Sequence, residues 1–148
     1  DGVTNQLGKL AAGDHLLIDD AWGTIQYKGK GTFIAGGAGV TPFIAILRDL
    51  ADKGEIAAHR LIFSNKTERD IILRDEWQGM DGLDQLFVVT DEPSSKFPHG
   101  PIDKAFLKEN VSDFGQHFYV CGPDQMVEDI KAALGELGAK ADALVFEK

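Results

Sequence analysis

The sequence has one cysteine, Cys121, so an internal disulfide is excluded and the chain is compatible with a reducing cytoplasm. No apolar run approaches the length of a membrane span, and no membrane insertion is expected. Basic residues are in short supply, 15 Lys and Arg against 24 Asp and Glu, for a formal net charge of -9. That balance excludes nucleic acid and anionic membrane as expected partners, because both need a basic surface. The four histidines, His15, His59, His99 and His117, are scattered without metal-ligand spacing. Internal repeats and low-complexity stretches are absent. The opening Asp1-Gly2-Val3-Thr4 has no starting Met and no signal-peptide pattern, and reads as a cut end.

What is present is enough for a core. Hydrophobic residues make up 43% of 148, which suits one globular domain, or one domain plus a fragment. Short apolar runs recur at 32–35, 60–64, 86–90, 117–121 and 143–146. Continuous runs of this length suit parallel strands covered on both faces. Helical stripes lie between them. Phe43, Ile44, Leu47, Leu50 and Ala51 form one, closed by Gly54. Met126, Val127, Ile130, Leu134 and Leu137 form another, closed by Gly138. A shorter helix near 70–78 is expected to bury Leu73 and Trp77. A further helix starts at Asp103, with Ile102 and Leu107 placed as a hydrophobic staple.

This alternation predicts an α/β fold, a doubly wound five-stranded parallel sheet in the order 3-2-1-4-5, over residues 31–148. Residues 1–30 read differently. His15–Asp19 and Thr24–Tyr27 are expected as strands around Trp22-Gly23, and Lys28-Gly29-Lys30-Gly31 as a linker. One or two strands make no domain, so 1–30 is expected to belong to a larger β structure.

The strongest chemical signal is Gly36-Gly37-Ala38-Gly39-Val40-Thr41-Pro42, between the first strand and a helix. Glycines let the backbone turn tightly and approach a ligand closely. Thr41 suits an N-cap and Pro42 the first helical position. Unpaired amides and the positive end of the helix dipole then face the loop, which is a pyrophosphate site. The common dehydrogenase fingerprint would need glycine where Pro42 stands. A second signal, Cys121-Gly122-Pro123, ends the fourth strand. In the 3-2-1-4-5 order strands one and four are neighbours, so both glycine turns flank one crevice.

Cys121 is either a buried structural thiol or a group lining a nicotinamide pocket. A nucleophilic role lacks a base, since His117 lies roughly 13 Å back along the strand. Ser64-Asn65-Lys66-Thr67-Glu68-Arg69-Asp70 follows the second strand, where an adenosine ribose is usually reached. Its mixed charges leave NADH against NADPH open, and a solvated loop is the other reading. Met126 is expected in the core, and Pro98-His99-Gly100-Pro101 as a turn.

With these residues in hand, the chain resembles the ferredoxin–NADP reductase superfamily over essentially its whole length. The G-G-x-G-x-T-P loop is Gly36 to Pro42, and C-G-P is Cys121 to Pro123, followed by Met126. Asn65 to Trp77 is similar to the NADH-using branch that includes cytochrome b5 reductase and dioxygenase reductases. Gly2-Val3-Thr4-Asn5 resembles a flavin-phosphate motif at a helix start. The resemblance implies a flavin-dependent NAD(P)H reductase. Its cofactors would be NAD(P)H and FAD rather than FMN, with an upstream flavin domain as partner, an antiparallel β-barrel of which residues 1–30 would be the C-terminal remnant. Its acceptor would be a ferredoxin, a flavodoxin or a haem or iron–sulfur protein.

It implies further that Gly37, Gly39 and Thr41 meet the pyrophosphate, within a cofactor-binding loop Gly36–Pro42 that also takes in Ala38 and Val40. Cys121, the catalytic candidate, would sit beside the nicotinamide, Gly122, Pro123 and Met126 would be further cofactor-binding residues, and Gly2 and Thr4 would meet the flavin. Ser64, Asn65, Lys66, Arg69 and Asp91 are the remaining cofactor-binding candidates, with Asn65, Lys66 and Arg69 at the adenosine end. The R-x-Y-S/T flavin motif is not in this sequence, and where the family often has an aromatic residue after the final Glu this sequence reads Phe146-Glu147-Lys148, so that the flavin-covering group is missing or Phe146 replaces it. The rival expectation is a non-catalytic nucleotide-binding sensor or assembly module. A simple dehydrogenase is disfavoured by Pro42 and by the lack of an acid–base set.

Overall fold

The computed structural model describes residues 2–20, 23 and 25–147. Five strands form the sheet: β1 (Gly31–Gly36), β2 (Arg60–Asn65), β3 (Asp84–Val89), β4 (His117–Cys121) and β5 (Leu144–Glu147). All pairings are parallel and the order is β3-β2-β1-β4-β5. Every residue of β1 is buried, as befits the central strand of a sheet covered on both faces.

Alternation along the strands sorts the core into two layers. Phe33, Leu61, Phe63, Tyr119 and Val145 face helix α2 (Thr41–Asp52) and helix α3 (Arg74–Gly79), where Phe43, Leu47, Leu50 and Trp77 meet them. Ile34, Ile62, Val88, Phe118 and Val120 face helix α4 (Lys104–Asn110) and helix α5 (Asp124–Glu136), meeting Leu107, Val127, Ile130 and Leu134. The expected stripes are therefore the buried faces. Gly54 (φ 70) and Gly138 (φ 98) close α2 and α5 in the left-handed region, which glycine enters without a Cβ clash. Asp103 caps α4 by accepting from the Phe106 amide at 2.8 Å, and Ile102 and Leu107 are both buried beside it.

Three expectations need correction. The helix placed near 70–78 is broken. Thr67 and Asp70 form a reciprocal capping box around a 3-10 turn at Glu68–Asp70. Leu73 then takes φ 55, so it ends exposed and α3 begins only at Arg74. Trp77 is buried as expected, its indole N–H donating to the Ile72 carbonyl at 2.7 Å.

The segments at 15–19 and 25–27 are not strands. A strand needs a neighbour to take its backbone hydrogen bonds. Here Leu17 and Ile18 stand 101% and 80% exposed, and the described ladders all belong to β1–β5. Thr24 and Trp22, part of that expectation, lie outside the described residues. What precedes the sheet instead is helix α1 (Val3–Leu7), started at Gly2, with no buried residue.

The third correction concerns Thr41. A 3-10 turn, Gly37–Val40, runs straight into α2, so the backbone is already helical at Val40 (φ -72, ψ -20). No extended residue is left to act as a side-chain cap. Thr41 becomes the first helical residue, and its hydroxyl donates back to the Ala38 carbonyl at 2.9 Å.

Candidate functional site

The chain leaves β1 toward β2 and β3, then returns to β4 on the other side of β1. The connections after β1 and β4 diverge, and the crevice between them opens at the carboxyl ends of the strands. A cleft of about 1000 Å³ lies there.

Its wall is made by two glycine turns in backbone contact. A Cβ on Gly39 would fall onto the Cys121 carbonyl and stand 2.7 Å from the Gly122 Cα. One on Gly122 would stand 3.1 Å from the Gly36 amide nitrogen, and one on Gly36 would strike the Met126 sulfur and lie 3.0 Å from Pro123 Cδ. Main-chain packing requires glycine at Gly39 and holds Gly122 tightly, while a Cβ at Gly36 is opposed by the Met126 and Pro123 side chains. Gly37 differs: it has φ 52, lines the cleft, and a Cβ there would meet no protein atom within 4 Å. The 3-10 turn that starts at Gly37 leaves its own first amides without intrahelical partners, whereas the Thr41 amide at the head of α2 already donates to the Ala38 carbonyl. An anion can approach Gly37 with no side chain in the way.

Of the expected site residues, Gly36, Gly37, Ala38, Gly39, Ser64, Asn65, Lys66, Cys121, Gly122, Pro123 and Met126 line this cleft. Val40 is in the core, and Thr41 and Pro42 lie behind the wall in the first turn of α2. Arg69 is exposed, 4.0 Å from the Asp70 carboxylate, and is not part of the cleft lining. Asp91 is exposed, with its amide donating to the Lys66 carbonyl at 2.9 Å. Gly2 and Thr4 start α1 away from the cleft.

The structure adds Asp70, Ile72, Thr90, Pro101, Ile102, Gln125 and Asp129 to the wall. Gln125 and Asp129 are bonded at 2.8 Å, one turn apart on α5. Their spacing around Met126 is a signal that could have found them. The turn at 98–101 does more than reverse the chain: it hangs on β3 through Val89 N–H to Pro98 (3.0 Å) and Gly100 N–H to Val89 (2.9 Å). Pro101 thereby reaches the cleft.

Cys121 is only 9% exposed yet part of the cleft lining. Burial pushes its thiol up, the Glu147 carboxylate adds to this, and the Gly122 backbone offsets part of it. The thiol therefore stays protonated at neutral pH and suits contact rather than nucleophilic attack. Asp70 is the opposite case. Hydrogen bonds from Thr67 hold its carboxyl below the usual range, so the cleft carries a negative charge at that end. Glu68 is likewise lowered, first by the Ser95 hydroxyl at 2.7 Å, then by the Lys96 amide and Arg74. The Glu68 amide donates in return to Glu92 at 2.7 Å, tying the loop after β3 to the Thr67–Asp70 turn.

Fold and cleft together define an open α/β nucleotide-binding domain with its ligand crevice at the β1–β4 switch point. Residues 33–132 match the model of the oxidoreductase NAD-binding domain, and the chain belongs to that family. NADH-cytochrome b5 reductase 2 of Danio rerio is 29% identical over 91% of this chain and 52% of its own length. The NADH nitrate reductase of Spinacia oleracea is 31% identical over 98% of this chain and 19% of its own. The CS-b5R domains of human Ncb5or, in the NAD+ form, superpose with a TM-score of 0.74 at 25% identity, covering 100% of this chain and 46% of that one. The chain thus spans about half of the first relative and a fifth of the second.

Proposed function

We propose that this chain is the nucleotide-binding part of a flavin-dependent NADH reductase, and that residues 2–30 belong with a flavin-bearing β-barrel. The observation that carries the reading is the cleft wall of two interlocked glycine turns, with Gly37 open to a ligand at the start of α2. A nicotinamide held in this cleft would supply hydride to a flavin in the adjoining domain, for onward transfer of single electrons to a haem or iron–sulfur partner.

The chain's own residues bind and orient. The Gly37–Gly39 backbone takes the pyrophosphate. Cys121, Pro123 and Met126 form the wall at the nicotinamide end, where a neutral thiol packs without competing for the hydride. Ser64, Asn65, Lys66 and Asp70 serve the adenosine ribose. The ionised Asp70 repels a 2′-phosphate, which supports NADH over NADPH. Thr41 acts indirectly, bracing the loop through Ala38.

The described residues do not fit a flavin by themselves. Gly2 and Thr4 are exposed on a five-residue helix, so the flavin's place is in the adjoining barrel. No helix among the described residues is long and apolar enough to cross a membrane, and a single free thiol fits a cytoplasmic setting.

Calorimetric titration of the folded chain with NADH, NADPH and adenosine diphosphoribose tests the assignment. NADH and adenosine diphosphoribose should bind, with NADPH weaker. Failure of all three to bind would remove the nucleotide from this cleft, and tighter NADPH would remove Asp70 from the ribose.

A further inference from the structure

The stretch entering β1 is fastened to the sheet by side chains that the cleft does not use. Tyr119 lies two residues before Cys121 on β4, so both project from one face, about 6.6 Å apart along the strand. Tyr119 is fully buried. Its hydroxyl donates to the Gly29 carbonyl at 2.7 Å and accepts from the Lys28 amide at 2.9 Å. Its ring stacks on Phe33 of β1, centroids 4.4 Å apart, and on Tyr27 at 6.0 Å.

Tyr27 makes a second tie, its hydroxyl standing 2.9 Å from His59 Nε2. The other ring nitrogen of His59 faces the Ile56 carbonyl at 3.0 Å. A carbonyl only accepts, so Nδ1 carries the proton and Nε2 accepts from Tyr27. The segment also lies close on β4: a Cβ on Gly31 would run into the His117 backbone, and one on Gly29 would stand 3.2 Å from the His117 ring. Residues 27–31 are thus seated from β4 and from the residue before β2.

We propose that Tyr119 is a positioning residue. Its hydroxyl clamps Lys28 and Gly29 and so sets where residues 2–27 stand relative to the Cys121 end of the cleft. This rests on the reading that those residues lead from a flavin-bearing barrel. The hydroxyl satisfies two backbone groups of the entering segment and none of the cleft. Its loss therefore leaves the nucleotide wall as it was and frees the approach of whatever the segment carries. Hydride transfer is acutely sensitive to such placement, an error of about 1 Å costing on the order of 100-fold.

Tyr119→Phe deletes the hydroxyl and keeps the stacked ring. Hydrogen exchange at the Lys28 amide should rise about tenfold, the equivalent of one net hydrogen bond. Affinity for adenosine diphosphoribose should stay within about twofold, a span smaller than one net hydrogen bond. In the flavin-bearing protein, flavin reduction at saturating NADH should fall about tenfold or more. Should Tyr119→Phe not fold, Tyr27→Phe cuts the parallel tie to His59 and carries the same test. Unchanged exchange at Lys28, or an unchanged saturating rate, overturns the proposal. So does a rate loss matched by an equal loss of affinity, which would make Tyr119 a support of the cleft. Failure of the wild-type chain to bind adenosine diphosphoribose sinks the functional reading instead, and the clamp is then decided by the exchange measurement.

Discussion

Gly39 and Gly37 stand two residues apart in one motif and should respond to substitution for opposite reasons. A methyl group on Gly39 would lie 2.7 Å from the Gly122 Cα, against a carbon–carbon optimum of about 3.5–4.0 Å, and would also meet the Cys121 carbonyl. The obstacle is backbone, so it cannot rotate aside. Relief needs the two turns to separate by roughly 1 Å, an overpacking cost of about 1–3 kcal/mol. For a chain of this length about 1 kcal/mol moves the melting point by about 2–4 °C, so Gly39→Ala should melt roughly 2–12 °C lower.

Gly37→Ala meets no atom, but its φ of 52 costs an alanine about 1–2 kcal/mol. Asparagine separates the two cases. It tolerates the left-handed region, so Gly37→Asn should recover part of the loss seen with alanine. At Gly39 a larger side chain only deepens the clash, and Gly39→Asn should be worse than Gly39→Ala. Melting curves with adenosine diphosphoribose titrations on the folded variants complete the comparison. Gly37→Asn should lose affinity out of proportion to stability, because its side chain enters the cleft. A melting point unchanged by Gly39→Ala would refute the interlocked-turn argument.

Three further outcomes are expected. Cys121→Ala in the flavin-bearing protein should slow hydride transfer about tenfold, or about 1.4 kcal/mol in the barrier, with little change in nucleotide affinity; stopped-flow reduction that keeps the wild-type rate would leave Cys121 to the core. Glu68 has a folded-state pKa below its unfolded value, so its stabilisation is present above about pH 4.3 and is lost as pH falls through the lowered value. Glu68→Gln should therefore flatten the acid limb of a stability–pH curve, and an acid limb identical to wild type would discount the Ser95 and Lys96 contacts. Asp103→Ala removes the α4 cap and should cost about 1 kcal/mol in a denaturant titration; no loss would show that the Phe106 amide finds another partner.

The sheet was legible because each strand announces itself locally. Phe33-Ile34-Ala35 and Phe118-Tyr119-Val120 are apolar without interruption, which only a two-sided burial explains. The order of strands is that of the common doubly wound fold, and the cleft follows because that order sets both glycine turns on one crevice. What stayed hidden depended on contacts distant in sequence. Leu73 fits a helical stripe by spacing, but the capping box of Thr67 and Asp70 spends those residues on a separate turn. Thr41 is a good cap by type and is displaced by a 3-10 turn that no single residue specifies. Pro101 looks like a turn residue until Gly100 pairs with Val89 and carries it to the cleft. His15–Asp19 has an apolar run of strand length, but among the described residues nothing pairs with it and Leu17 and Ile18 stand exposed, so local composition alone does not make it a strand.

The contact between the two glycine turns has a consequence for redesign. Because Gly36, Gly39 and Gly122 touch through main chain, the turn after β1 and the turn after β4 cannot be diversified independently. A library that varies one of these contact positions alone samples mostly destabilised members, whatever ligand is selected for. Productive variation has to sit at positions whose side chains reach the crevice without crossing that seam: Ser64, Lys66 and Asp70 toward one end, Gln125 and Asp129 toward the other. Changes of nucleotide preference should then be accessible through these five positions, while the seam passes unaltered from parent to variant.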